Sequence, residues 1–248
     1  MANRATMQTL PDPIDQSADP GEPGVLSRVL FQADHLLRNR TEVFSEIVEH
    51  SALEANGLAW ALLAGFSGAA YGAAMGLHGG AMQAAAAAVK VPALMGLSLF
   101  AVLPALYAFN TMLGSRIRPA QLVALGAATL AATGVVLLAL APIALFLTFA
   151  GLSYSALKLA HVALFFLAGY SGAFFMYEGV QTVAARSGRE QSLPVLQVWL
   201  LIYGYVGAQM SWMLRPFVGD PAAPFSLLRP LSGTFFSGVL DALLSALR

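Results

Sequence analysis

"LAWALLAGFSGAAYGAAMGLHGG", residues 58–80, contains no Asp, Glu, Lys or Arg. A helix of about 20 predominantly apolar residues spans the hydrocarbon core of a bilayer, and this stretch meets that length. Small residues recur at Ala64, Gly68, Gly72, Gly76 and Gly80, steps of four that place them along one helix face. Helices in lipid gain nothing hydrophobic by pairing, so close backbone approach across small residues is a leading way to pack them. Gly68, Gly72, Gly76 and Gly80 are therefore read as a helix-packing ridge. Its partner is another span of the same chain or, failing that, a second copy.

Four further stretches have the same character: 91–113, 121–149, 159–178 and 194–214. Taken with 57–78 they make five spans. Composition agrees, because 58% of the chain is hydrophobic and only 10% charged, where soluble domains run near a quarter charged. The mean hydropathy is +0.69. The expected fold is all-α, a polytopic membrane helical bundle of five transmembrane helices. It becomes six if the C-terminal "FFSGVLDALLSALR" enters lipid. That stretch is short and carries Asp241, so an amphipathic surface helix is preferred. Pro104 and Pro142 are candidate kinks in the second and third spans. "GGAMQAAAAAVK", residues 79–90, reads as an interfacial turn of helix between the first two spans.

Residues 1–24, with four prolines and no apolar run, read as a disordered tail and not as a secretory signal. Residues 25–55 are rich in ionisable side chains, with apolar residues at helical spacing (Leu26, Leu30, Ala33, Leu37, Phe44, Val48). They predict two amphipathic helices meeting near Asn39-Arg40, either packed under the membrane domain or lying on the bilayer. Residues 56–214 form the five-span domain, and 215–248 a C-terminal cap with its amphipathic helix. With five spans the N-terminus shares a side with Arg116, Arg118, Arg186 and Arg189. Only Lys90 and Lys158 lie in the opposite loops, so the positive-inside rule puts the N-terminus in the cytoplasm. A bacterial inner membrane is the expected location.

The end of the fifth span is the most unusual local sequence. In "SWMLRPFVGDPAAPF", residues 211–225, Trp212 is an interface anchor and Arg215 sits where its head reaches phosphates or water. Pro216 stops the helix. Arg229-Pro230 repeats the basic–proline pattern. Trp212, Arg215, Phe217, Phe225 and Arg229 are accordingly the candidate functional residues of an ordered cap on the outer face.

Inside the spans, His161 is the exceptional ionisable group. It serves either as a hydrogen-bonded packing residue or as a proton relay. Asn110 and Gln209 can bond across helices. Glu178 is expected to pair with a basic residue on the side of Arg116, Arg118 and Arg186. There is no cysteine, and no HExxH, GxSxG or Walker motif. The four histidines are widely separated. No catalytic, cofactor-binding or metal-binding residues are assigned, and no cofactor is expected. Net charge is zero, which gives no footprint for nucleic acid. The expected partners are the lipid bilayer and either a second copy or another membrane protein.

"AVKVPALMGLSLFAVLPALYAFNTMLGSR", residues 88–116, followed by "LLIYGYVGAQMSWMLRPFVGDPAAPFSLLRP", residues 200–230, resembles a family of uncharacterised bacterial multi-span membrane proteins. Some of its members carry an actin-binding (WH2) label. The resemblance covers residues 45–240. In layout alone, five spans and a cytoplasmic N-terminus, the chain is similar to the Ypt-interacting-protein (Yip) membrane family. Layout of this kind says little about function; with the glycine ridge and the outer cap as contact surfaces, the expected function is that of a non-enzymatic integral membrane protein, such as a scaffold or assembly factor. A small transporter or channel subunit, with a pathway near His161, Asn110 and Gln209, is the alternative.

Overall fold

A computed structural model describes residues 25–49, 52–112, 117–186, 193–220, 223–230 and 232–246. The expected tail at 1–24 lies outside the described residues, as do Arg116, Arg189 and Arg248. Among the described residues all regular secondary structure is helical, without a strand. Its helices are α1 (Val25–Arg38), α2 (Arg40–Val48), α3 (Ala52–Gly76), α4 (Ala81–Met112), α5 (Pro119–Phe149), α6 (Tyr154–Arg186), α7 (Leu193–Met213) and α8 (Phe235–Ala246). Asn56–Gly79, Ala81–Met112, Pro119–Phe149 and Tyr154–Arg186 are long and apolar enough to cross a membrane. α7, 21 residues long, occupies the stretch expected as the last span. α8 has 12 residues and measures about 18 Å at 1.5 Å per residue, short of a bilayer core of about 30 Å.

The bundle is organised around α3, which packs against α5 and α4. α6 lies on α5, α7 on α4, and α8 on α6 with a lesser contact to α7. α1 covers α3 and α5, while α2 covers α6 and α5. Both amphipathic helices are therefore docked on the bundle. A polar chain secures them: Trp60 Nε1 donates to Gln32 Oε1 (2.9 Å), Gln32 Nε2 to Asn56 Oδ1 (2.6 Å), and Asn56 Nδ2 to Glu46 Oε2 (3.0 Å). Gln121, in the first turn of α5, donates to Val48 O and accepts from Arg118 N–H. The core falls into two halves. Trp60, Phe44, Ile47, Leu125 and Phe175 fill the end near α1 and α2. Tyr71, Val91, Leu137, Leu157, Phe217 and Val218 fill the other.

The small-residue ridge is an internal contact. A Cβ on Gly72 would run into the Ala87 carbonyl group. One on Gly76 would lie 2.6 Å from Ala84 Cα, and one on Gly68 3.4 Å from Pro92 Cγ. Backbone meets backbone where α3 and α4 form an antiparallel hairpin. Gly80 is a correction: nothing lies within 4 Å of its Cβ position, and its φ of +90° makes it the turn residue before α4. The step of four carries past the end of α3, so the fourth glycine leaves the face. Gly169 of α6 and Gly204 of α7 also have nothing within 4 Å of their Cβ positions, so neither makes an equivalent contact.

Two helix boundaries differ from expectation. Residues 81–90 form no separate interfacial turn but the first turns of α4, because a run of alanines, the best helix former, continues the helix through Pro92. α6 extends beyond 159–178 at both ends. Glu178 consequently sits within the helix and meets Arg40 Nη1 at 3.4 Å, a residue of α2 and not one of the loop arginines.

Candidate functional site at the capped end of the bundle

The last backbone bond of α7 runs from Leu214 N–H to Met210 O (3.0 Å). Pro216 has no N–H to extend the ladder, and the Arg215–Pro216 peptide is cis. The chain then turns inward over the α3–α4 hairpin. Phe217 and Val218 are buried, at 8% and 4% exposure. Gly219 lies against Gly79 so closely that a Cβ on either would come within 3 Å of the other's Cα. Glycine at both positions lets the two backbones touch.

Two side chains of α4 hold this segment. Gln83 Nε2 donates to Pro216 O (2.8 Å) and Phe217 O (2.9 Å). Lys90 Nζ donates to Pro216 O (2.9 Å) and to Leu227 O, and lies 5.8 Å from the centroid of the Phe217 ring. Gln83 and Lys90 are seven residues apart, two helical turns on one face. Loop carbonyls that would be costly to bury unpaired are thus satisfied from α4. Lys90 is only 6% exposed, a buried cation held by carbonyl oxygens and an aromatic face. The sequence placed it at a span end. The structure places it beneath the cap.

Arg215 closes the far side. Its guanidinium lies 3.7 Å from the Trp212 ring centroid, and Nη2 donates to Pro230 O at 2.8 Å and, at longer range, to Ser232. Trp212 Nε1 donates to Ser232 O (3.2 Å), and Arg229 N–H to Arg215 O (3.2 Å). α8 then packs its Gly238 against the Trp212 ring, where a side chain would not fit. Of the five expected cap residues, Trp212, Arg215 and Phe217 are built into these contacts. Phe225 and Arg229 are placed differently. Phe225 is 48% exposed and stands with Arg229 at the rim of a shallow depression floored by Gly79, Gln83 and Gly219. Phe217, by contrast, is buried in the core half that holds Tyr71, Val91 and Val218.

His161 belongs to a separate site. It is buried in α6, and its Nδ1 is 2.8 Å from Tyr71 Oη, with the two rings edge to face. Tyr71 is also buried and meets Phe165 edge to face. His161 Nε2 has no hydrogen-bond partner among the described residues. Asn110 donates to Leu106 O of its own helix, and Gln209 lies on α7. His161, Asn110 and Gln209 thus belong to three different helices, with no hydrogen bond joining them among the described residues. Sequence reasoning missed Gln83, Lys90 and Tyr71. The spacing of seven between Gln83 and Lys90 is the available signal, hidden while 79–90 reads as an interfacial turn of helix separate from the span that follows. No metal-binding group of three or more His, Cys, Asp or Glu side chains occurs among the described residues.

No family model, curated protein or solved structure matches the chain.

Proposed function

We propose that this chain is an integral membrane protein of five spans, α3 to α7, whose N-terminus is cytoplasmic. It works without catalysis, as a scaffold or assembly factor that presents its capped end to another membrane protein. The observation that carries this reading is the construction of the cap. The described residues 215–220 and 223–230 have no regular secondary structure, yet Gln83, Lys90 and Arg215 supply donors to carbonyls among them. A segment held in this way presents a preorganised surface, which lowers the ordering cost of binding a partner. Membership of the bacterial multi-span family that the chain resembles is part of the same proposal.

Two measurements test it. Reporter fusions after residues 117 and 248 are expected on opposite sides of the membrane; the same side for both overturns the span count. Affinity purification in mild detergent is expected to recover a defined membrane-protein partner that is lost when Phe225 is replaced by Ser. Robust ion or solute flux in liposomes holding the purified chain alone would instead establish the transporter or channel reading. The observation favouring that second reading is the buried Tyr71–His161 pair, whose His161 Nε2 has no hydrogen-bond partner among the described residues.

A further inference from the structure

The shallow depression over Gly79, Gln83 and Gly219 has a volume of about 250 Å³, counting its open mouth. Its floor is fixed. The Gln83 side chain is buried and bonded to the Pro216 and Phe217 carbonyls, and the backbones of Gly79 and Gly219 touch. Asp220, Ser226 and Arg229 also line it, and all three are partly exposed. Two of them bring opposite charges to one cavity. Arg229 enters no ion pair among the described residues, so its guanidinium is not taken up by the carboxylate that shares the cavity. An ionised carboxylate offers about four acceptor sites, so contacts of Asp220 within its own loop do not exhaust it. A plain anion entering here meets repulsion from Asp220, and a plain cation meets it from Arg229. The pattern matches a small guest that carries both charges.

We propose that this depression binds a zwitterion of the phosphoethanolamine type, its phosphate on Arg229 and its primary ammonium on Asp220. A guanidinium pairs with phosphate oxygens in a bidentate fork, and the Ser226 hydroxyl supplies a further donor. The ammonium offers three N–H groups to the carboxylate. A quaternary ammonium has none and is recognised instead by a cage of aromatic rings, whereas Phe225 is the single ring lining the depression. The surroundings point to a lipid as the source. Phe225, Leu227 and Leu228 are exposed on the same loop, an apolar rim beside the charged pair, and Trp212 of the same cap is a residue type that settles at the membrane interface. On the membrane reading proposed above, on which this step rests, the guest is the headgroup of phosphatidylethanolamine. Free phosphoethanolamine has the same chemistry without needing a bilayer.

The experiment uses the full chain purified in a neutral detergent. Native mass spectrometry measures retention of phosphatidylethanolamine against phosphatidylcholine, which lacks the N–H donors, and phosphatidylglycerol, which lacks the ammonium. Thermal unfolding is measured with phosphoethanolamine against phosphocholine at equal ionic strength. Wild type is compared with Asp220→Asn, Arg229→Gln and Arg38→Gln, the last an exposed charge on α1. Wild type and Arg38→Gln are expected to prefer phosphatidylethanolamine over both other lipids by roughly tenfold. Asp220→Asn should lose the discrimination against phosphatidylcholine, and Arg229→Gln should lower retention of both phosphatidylethanolamine and phosphatidylcholine. Stabilisation by phosphoethanolamine that Asp220→Asn loses, without a lipid preference, supports the site with a soluble ligand. The wild-type comparison needs no variant, so it decides the matter even if a substitution prevents folding. No discrimination in either assay, a preference for phosphatidylglycerol, or a preference unchanged in both site variants overturns the proposal. Extraction of proteoliposomes at high pH reports membrane integration separately, so a failure of the membrane reading is distinguishable from a failure of the site.

Discussion

Gly72→Ala and Gly65→Ala make the same chemical change two turns apart on α3, and the structure gives them opposite signs. At Gly65 nothing lies within 4 Å of the added Cβ, so the change only relieves the entropic handicap of glycine, worth roughly 0.5–1 kcal/mol in a helix. At Gly72 the same gain meets the α4 backbone, since the Cβ would lie 2.8 Å from the Ala87 carbonyl carbon and closer still to its oxygen. Ordinary contact begins near 3.4 Å and the oxygen is the nearer atom, so α4 must retreat by roughly 1 Å. A gap of about 0.5–1 Å forfeits a quarter to a half of the dispersion energy of each affected contact, and the retreat loosens the flanking contacts at Gly68 and Gly76 as well. Overpacking of this kind costs about 1–3 kcal/mol. The propensity gain is common to both variants, so they should differ by that same amount. Denaturant titration in mixed micelles, read by fluorescence of the buried Trp60, measures the difference. Equal stabilities for the two variants would refute the reasoning, because the α3–α4 contact would then not be backbone-limited.

Three further outcomes follow from the contacts at the capped end and inside the bundle. Lys90→Met removes the donor shared by Pro216 O and Leu227 O. It should destabilise by about 1–3 kcal/mol, since Leu227 O loses its donor and Pro216 O keeps only Gln83, and speed deuterium exchange at residues 217–220 and 225–229; unchanged exchange there would show that Gln83 and Arg215 suffice. Tyr71→Phe leaves His161 Nδ1 without its partner and should cost about 1–3 kcal/mol, while adding His161→Leu should recover part of the loss; strict additivity in that double-mutant cycle would mean the pair is not coupled. Glu178→Gln breaks a half-exposed pair with Arg40 at 3.4 Å and should change stability by under about 1 kcal/mol; a larger loss would show that α2 depends on it for docking.

The long apolar helices, the amphipathic character of α1 and α2, the helix stop at Pro216 and the small-residue face of α3 were all legible in the chain. Each depends on local quantities: composition summed over about 20 residues, periodicity along one helix, or the missing N–H of a proline. Periodicity marks a face but not what lies opposite it. Only the tertiary structure therefore decided that Gly68, Gly72 and Gly76 meet α4, that Gly80 is a turn, and that Gly169 and Gly204 touch nothing. The cap shows the same division. Prolines and aromatics after Arg215 announced an ordered segment, yet its carbonyls are satisfied by Gln83 and Lys90, more than a hundred residues away in sequence. A buried cation looks unfavourable in one dimension because its cost is set by desolvation. The carbonyls and ring that offset that cost come together only once α7 is packed on α4 and the chain beyond it has turned back over the hairpin. Phe217 and Phe225 carry the same side chain in similar proline-flanked contexts. One is buried with Tyr71, Val91 and Val218 and the other is about half exposed, a difference that no local pattern sets, because the apolar surroundings of Phe217 are assembled from distant segments only in the folded bundle.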